Sequence, residues 1–489
     1  MRVTSLSLAW PRGDQASLLG VSAVLGVVQL LMWVVLARHV PLSGDEFFYL
    51  SASKRVPELL VDAARLDAPR AYAALAALVG PGWFMPGMAV VLAPVSLVTD
   101  SIPVLRLYVG VLNFVLLCVL LRLLRDEFGG RAPLVYALCI SIVPYYSIYA
   151  FTLWADLVGT HALLIMVLMF LRRVRTGTIE WAGNGPVFRF GLMLGALTYL
   201  RGFYWLLAPM FAVLLFLGNI GRQTMRERLS RLAIQFGVFA VGLAVVVAPW
   251  TLAVSSLHGF HLTVTSVTAS RIALLGSRSY IEPIDAVGKR FMPVENHIRA
   301  RAKETGLSYG DQARIERDSA LSDLTFRSYA EAVAPNVGRF FLNSEQFLTR
   351  FATISASSDR WPGPEWRSLL FSSMMSINHW GWRSLLLVGI ALMLVPVAPA
   401  ALNLYLSVAF KYVGLLFAVG PFVVLGHGRH YVGFVPVIAV AVACATASRG
   451  SLLWSRPPRA FDDWLILVGQ VLAAAIASGM LFGPIAFAP

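Results

Sequence analysis

Ser17–Ala37 reads SLLGVSAVLGVVQLLMWVVLA, 21 residues without a charge, and Ser43-Gly44-Asp45-Glu46-Phe47-Phe48-Tyr49 follows within a few residues. A spanning helix needs roughly 20 apolar residues, so this stretch is long enough to cross a bilayer. It exceeds the length of a signal-peptide core, and no convincing small-residue cleavage site follows it. Arg2 and Arg12 precede it, and cations stay on the cytoplasmic side. The reading is an uncleaved first span, with its N-terminus inside and the Asp-Glu pair just outside.

The composition agrees. Of 489 residues, 58% are hydrophobic and only 13% charged, with a mean hydropathy of +0.71. Soluble domains carry about 25% charged residues, so a cytosolic enzyme is excluded, as are disordered, collagenous and coiled-coil chains. The net charge of +14 reads as membrane topology and not as a nucleic-acid footprint. Cys118, Cys139 and Cys444 all lie in apolar runs, which gives neither a disulfide framework nor a metal-type spacing.

Ten further apolar runs follow, at about 103–124, 132–147, 157–171, 187–200, 203–219, 232–254, 381–398, 401–425, 430–447 and 463–483. The expected fold is an all-α polytopic membrane protein with about 11 transmembrane helices. Segment 84–98, short and interrupted by Pro86 and Pro94, is read as an interfacial helix. The inner loops carry Arg122, Arg125 and Arg131, then Arg172, Arg173 and Arg175, then Arg222, Arg226, Arg228 and Arg231, and finally Arg449, Arg456 and Arg459. Every inner loop except the short one near 399 is thus Arg-rich, as the positive-inside rule asks.

Between 255 and 378 the chain turns polar, with 14 Lys/Arg against 12 Asp/Glu. Helical spacing of Ile315, Leu321, Leu324 and Phe326 within Asp311–Tyr329 suggests a mainly helical soluble appendage. The organisation read from this is an N-terminal membrane module over 1–254 with a first outer loop at 38–102. An outer soluble loop domain over 255–378 and a C-terminal membrane module over 379–489 complete it. This asymmetric layout lacks the paired halves of most secondary transporters.

Ionisable residues at a membrane boundary are expensive to place. Asp45 and Glu46 sit at the outer interface before an aromatic patch, where a carboxylate beside a hydroxyl can act as a general base. They also suit a solvated pair opening the next helix. Asp156, in Tyr149-Ala150-Phe151-Thr152-Leu153-Trp154-Ala155-Asp156, has no cation beside it in sequence and could equally N-cap its helix. Arg201, Arg429 and His430 are outward cations that want a partner, and phosphate suits Arg through bidentate bonds. His258 and His261 follow Pro249-Trp250. Lys54 and Arg55 fit either a phosphate or simple snorkelling. Gly191 and Gly195 form a small-residue spacing suited to helix packing. P-loop, dinucleotide and His-Glu-x-x-His motifs are absent.

These features together resemble bacterial integral-membrane glycosyltransferases of the GT-C class. The resemblance is to the protein mannosyltransferase-like group that includes the lipid A aminoarabinose transferase and rhizobial lipopolysaccharide glycosyltransferases. Its carriers are Asp45-Glu46 with Tyr49, then Asp156, Arg201 through Pro209, Pro249-Trp250 with Gly259-Phe260, and Arg429-His430-Tyr431 with Pro436. Two departures stand out. Ala253-Val254 replace an Arg-Asn common in relatives, and Trp83-Phe84-Met85-Pro86 lacks a donor-holding Lys.

The resemblance implies an inverting transfer of a sugar from a polyprenyl-phosphate donor to an acceptor hydroxyl. It implies Asp45 as base, with Glu46 and Asp156 beside it. Arg201, His258, Arg429, His430 and Lys54 would hold the donor phosphate, and Tyr49, Trp83, His261 and Tyr431 would position donor or acceptor. The partners it implies are the lipid-linked sugar, a lipid or glycan acceptor and membrane lipids, without nucleic acid. No tightly bound cofactor is expected, and no motif supports a metal ion. The implied location is a bacterial inner membrane, with the active site facing the periplasm. A flippase or transporter of lipid-linked glycans, favoured by Lys411 within an apolar run, a glycan polymerase, and a non-catalytic scaffold are the alternatives.

Overall fold

The computed structural model describes residues 13–39, 42, 45–80, 85–175, 184–218, 224–258, 287–322, 325–331, 365–394, 408–418, 431–447 and 464. Every regular element among them is helical. Helix α1 (Gly13–Val35) and a 3-10 turn at Ala37–His39 are followed by α2 (Asp45–Ala64), α3 (Ala68–Val79), α4 (Gly87–Ser96) and α5 (Ile102–Phe128). Next come α6 (Arg131–Ser141), α7 (Tyr145–Tyr149), α8 (Ala155–Arg175) and α9 (Asn184–Leu200). A 3-10 segment at Gly202–Leu207 leads into α10 (Ala208–Gly218) and the long α11 (Met225–His258). The polar region supplies α12 (Val287–Thr305) and α13 (Tyr309–Ser322), and α14 (Glu365–Leu394) returns to apolar sequence. The last two are α15 (Val408–Ala418) and α16 (Tyr431–Ala447).

Four of these helices are long and apolar enough to cross a membrane: Ser17–His39, Ile102–Phe128, Ala155–Arg173 and Met225–Leu257. They coincide with four of the eleven expected spans. Expected span 132–147 instead forms α6 and α7, broken at 142–144, where Pro144 supplies no N–H to continue the ladder. Expected span 203–219 begins as 3-10 helix before turning α-helical at Ala208. Runs 187–200 and 430–447 form 17-residue helices. Run 401–425 is described only over 408–418, and 463–483 lies outside the described residues except Trp464.

Position in the bundle follows from exposure. Helix α8 is 78% buried over its apolar window, whereas α1 and α11 are only 11% buried. Thus α8 is the central post, and α1 and α11 present most of their surface outward. Helix α4, the expected interfacial piece, packs between α2 and α9, with Met88, Leu92 and Ala89 buried. Gly87 makes that possible, since a Cβ there would stand 2.5 Å from the Tyr199 carbonyl.

Helices α9 and α11 form the most extensive pair in the fold. A Cβ on Gly191 would collide with the Phe239 carbonyl, and one on Gly242 with the Phe188 carbonyl. The small residues therefore let two backbones touch, the membrane mode of helix association. The Tyr199 hydroxyl donates to the Val246 carbonyl, just ahead of Pro249, which lies inside α11 and weakens its ladder. Helix α11 runs through Pro249-Trp250 to His258, so the Pro-Trp pair belongs to the helix and not to its exit.

The described part of the polar region is helical as expected. The Ser308 hydroxyl accepts from the Asp311 N–H at 3.1 Å and donates to the Asp311 carboxylate, capping the start of α13. Gly306, at φ +70°, turns the chain between α12 and α13.

Gly191→Ala and Gly242→Ala should each push α9 and α11 apart and cost about 1–3 kcal/mol. Gly237→Ala, with nothing within 4 Å of the new methyl, should leave stability unchanged. Unfolding in detergent followed by steric trapping checks all three.

Candidate active site

Three expected site residues open helices at one end of the bundle. Asp45 and Glu46 form the first turn of α2, and Asp156 stands in the first turn of α8. Acidic side chains in a first turn complement the partial positive charge of a helix N-terminus.

Glu46 has no exposed surface. One carboxylate oxygen meets Arg106 Nη2 at 2.8 Å, and the guanidinium is likewise fully buried. The other oxygen, Oε1, accepts from the Leu153 N–H at 2.9 Å. Arg106 Nη1 donates in turn to the Ala37 carbonyl at 3.4 Å. One ion pair therefore joins the end of the first apolar helix, the start of α2, the first turns of α5 and the strand of turns leading into α8. Leu153 lies three residues before Asp156, so this clamp draws the Asp45 turn and the Asp156 turn to the same end.

Asp156 is nearly buried and forms an ion pair with Arg201 Nη2. The sequence offered Asp156 no adjacent cation and Arg201 no adjacent anion; folding brings each the other. Arg201 precedes the 3-10 segment, with φ −139° and ψ 109°. Gly159 leaves the room, because a Cβ there would meet the Tyr204 hydroxyl at 3.2 Å and Arg201 Cγ at 3.6 Å. Thr160 Oγ1 lies 3.3 Å from the same hydroxyl. Phe203, Tyr204, Phe417 and Phe434 stack edge and face around this corner, so the ion pair sits against an aromatic wall. A Cβ on Gly433, near the start of α16, would stand 3.1 Å from Thr160 Oγ1, which brings the Tyr431 end of that helix to the same corner.

A second polar chain runs deeper. His161 is buried, with Nε2 2.6 Å from the Tyr146 hydroxyl and Nδ1 3.3 Å from Asn113 Oδ1. Asn113 Nδ2 donates to the Ala150 carbonyl at 2.7 Å, and Asn378 Oδ1 accepts from the Tyr145 N–H at 3.1 Å. The geometry fits a neutral imidazole carrying its proton on Nδ1. These bonds pin residues 145–150, the lead-in to Leu153 and Asp156.

The other described candidates stand on separate elements. Lys54 pairs with Asp100 at 2.5 Å, both exposed, so its partner is a carboxylate of the next connection. Tyr49 is buried in the core beside Phe48, ring centroids 6.2 Å apart. His258 ends α11 and Tyr431 opens α16. Trp83, His261, Arg429 and His430 lie outside the described residues. Among the described residues no group of three His, Cys, Asp or Glu side chains is placed to hold a metal ion.

Sequence reasoning missed Arg106, Asn113, His161 and Tyr204. Arg106 and His161 did carry a signal, since each is an ionisable residue inside an otherwise apolar run. Asn113 and Tyr204 had none beyond being polar among aliphatics.

No protein-family description matches this chain, and no curated protein matches it. Among solved structures it is similar to the apo crystal structure of the oligosaccharyltransferase of Archaeoglobus fulgidus, at 14% identity and a TM-score of 0.46. The alignment covers 97% of this chain and 56% of that one, so the chain spans little more than half of that protein's length. A likeness of that depth assigns no residue a role.

Arg106→Ala should lower stability by about 3–5 kcal/mol, because it leaves the Glu46 charge buried and bare. Glu46→Gln should cost a comparable amount, since with its amide oxygen on the Leu153 N–H it turns an N–H donor toward Arg106 and leaves that guanidinium buried without its counter-charge. Resistance to unfolding in detergent measures both, and variants as stable as the parent would show that the pair is not the tie.

Proposed function

We propose that this chain is an inverting membrane glycosyltransferase that moves a sugar from a polyprenyl-phosphate donor to an acceptor hydroxyl. The donor tail stays in lipid while its phosphate and sugar reach the Asp45–Asp156 end of the bundle, on the outer, periplasmic face of a bacterial inner membrane. The observation that supports this most is the bond from the Leu153 N–H to Glu46 Oε1, because it gathers two separate acidic turns at one end. An apolar bundle with carboxylates at its rim suits a substrate that is half lipid and half sugar.

In the proposed step, Asp45 takes the proton of the acceptor hydroxyl as that oxygen attacks the anomeric carbon. The bond from that carbon to the phosphate oxygen breaks, and its electron pair leaves with the phosphate. A single displacement of this kind inverts the anomeric centre. Charge appears on the departing phosphate, where guanidinium and imidazolium groups can stabilise it by several kcal/mol, on the order of 3 per well-placed donor. Arg201 is the candidate for this role at the Asp156 corner, and Arg429, His430, His258 and Lys54 are proposed to share it. Glu46 acts as a positioning residue, holding the turn that carries Asp45. Asp156 sets the place of Arg201 and offers charge to the oxocarbenium-like centre. Tyr49, Trp83, His261 and Tyr431 are proposed to line donor or acceptor, and no metal is invoked.

A transporter or flippase for lipid-linked glycans is the second reading. It draws on Lys411, 6% exposed within α15, since a cation inside an apolar helix marks pathways as often as structure.

Asp45→Asn, in vesicles supplied with a polyprenyl-phosphate sugar, should reduce turnover by about 10²–10⁴-fold, the usual range for a lost general base. Donor binding should survive. Normal turnover by a folded Asp45→Asn protein would reject the assignment, and movement of the intact lipid-linked sugar without glycoside formation would favour the transporter. Arg201→Ala should lower kcat by about 10²-fold, the loss of a donor to the departing phosphate, with a smaller rise in the KM for donor, both read from initial rates at varied donor.

A further inference from the structure

We infer that the 3-10 turn closing the first apolar helix is a binding site for a lipid-borne phosphate, built from Arg38, His39 and Trp33. Arg38 Nε donates to His39 Nε2 at 2.9 Å, and the guanidinium carbon lies over the Trp33 ring, 6.0 Å from its centroid. The ring face and the imidazole thus fix the guanidinium from two sides. No carboxylate among the described residues pairs with Arg38, unlike Arg106, Arg201 and Lys54 at the same end of the bundle. A cation set at the rim of an apolar helix, oriented yet with no counter-ion among the described residues, is matched by an anion that arrives with its own geometry. Phosphate is the natural one, because guanidinium nitrogens meet its oxygens in pairs.

The helix below the turn points to a lipid as the carrier. Val24, Val27, Leu31 and Val34 are 63%, 58%, 56% and 37% exposed and recur at helical spacing along α1. They form a stripe of about 15 Å at 1.5 Å per residue. A hydrocarbon chain laid on that stripe ends with its headgroup at Arg38. A free phosphate ion would have no use for it.

The site is also wired to the buried clamp. The Ala37 carbonyl, inside the same 3-10 turn, accepts from Arg106 Nη1 at 3.4 Å, and Arg106 holds Glu46. An occupant at Arg38 therefore steadies the turn that carries Asp45. This holds whether or not Asp45 serves as a base, and the test reads binding alone.

The full chain is placed in nanodiscs of phosphatidylcholine doped with a polyprenyl phosphate, then released into mild detergent, and the retained lipid is counted by native mass spectrometry. Wild type should retain the polyprenyl phosphate and not the matching uncharged polyprenol. Arg38→Gln should cut retention about tenfold, the loss of one charge-assisted contact. Arg38→Lys should fall between, having the charge without the planar fork, and it serves where Arg38→Gln fails to fold. Arg55→Gln, which removes an exposed cation paired with Glu58, should bind as wild type. Equal retention by Arg38→Gln and Arg38→Lys with wild type would overturn the site. Equal retention of the polyprenol would overturn the phosphate, and complete displacement by millimolar inorganic phosphate would overturn the lipid.

Discussion

Two opposite charges with no access to solvent, Glu46 and Arg106, set the terms for the end of the bundle that carries Asp45 and Asp156. Neither can be left alone. Removing an ion from water costs several kcal/mol even after relaxation, and attraction repays it only where the geometry is good and the remaining hydrogen bonds are made. Here Glu46 spends its second oxygen on Leu153 and Arg106 its other nitrogen on Ala37. The contribution of such a pair to stability is modest. What it confers is uniqueness: four chain segments distant in sequence have one arrangement in which both charges are satisfied. Asp45, adjacent to Glu46, takes its place from that arrangement.

The central helix extends the same logic. Asp156 stands on α8 one turn before the adjacent Thr160 and His161, and each of the three faces a different polar partner. Polar side chains in an apolar helix do not drive folding there; they choose among packings that aliphatic contacts alone leave nearly equivalent. The aliphatic and aromatic residues around them supply close contact, and the glycines let α9 meet α11 and α4 meet α9 backbone to backbone. Helix α8 is buried because α5, α9, α10 and α16 pack around it, while α1 and α11 stay largely exposed.

How much of this the sequence disclosed depends on the distance over which each interaction acts. Apolar runs marked where helices lie, since composition over about 20 residues is a local property, and Gly191 was legible as a packing position for the same reason. Helix continuity was less so. Run 132–147 is apolar throughout, yet Pro144 divides it, and run 203–219 starts with a 3-10 segment whose Tyr204 is held by Thr160 from another helix. Asp45, Glu46 and Asp156 were visible as charges beside apolar sequence. Their partners were not: Arg106 is 60 residues from Glu46, and the Asp156–Arg201 pair closes only once α8 and α9 stand side by side. A charge signals its cost locally and its remedy only in three dimensions.

The remedy found by Asp156 bears on how the proposed chemistry divides between carboxylates. For Asp156 to accept a proton it would have to release Arg201, stripping a guanidinium of its counter-ion against an aromatic wall where water is scarce. That loss falls on the same step in which positive charge grows on the sugar, when a bare cation nearby is least welcome. Kept ionised, Asp156 holds Arg201 toward the place where phosphate departs and offers negative charge to the anomeric centre. The proton is then left to Asp45, whose neighbour Glu46 is fixed by a partner of its own and does not compete for Arg201. On this reading the two acidic turns are not duplicates. The arginine set beside one of them gives them separate tasks.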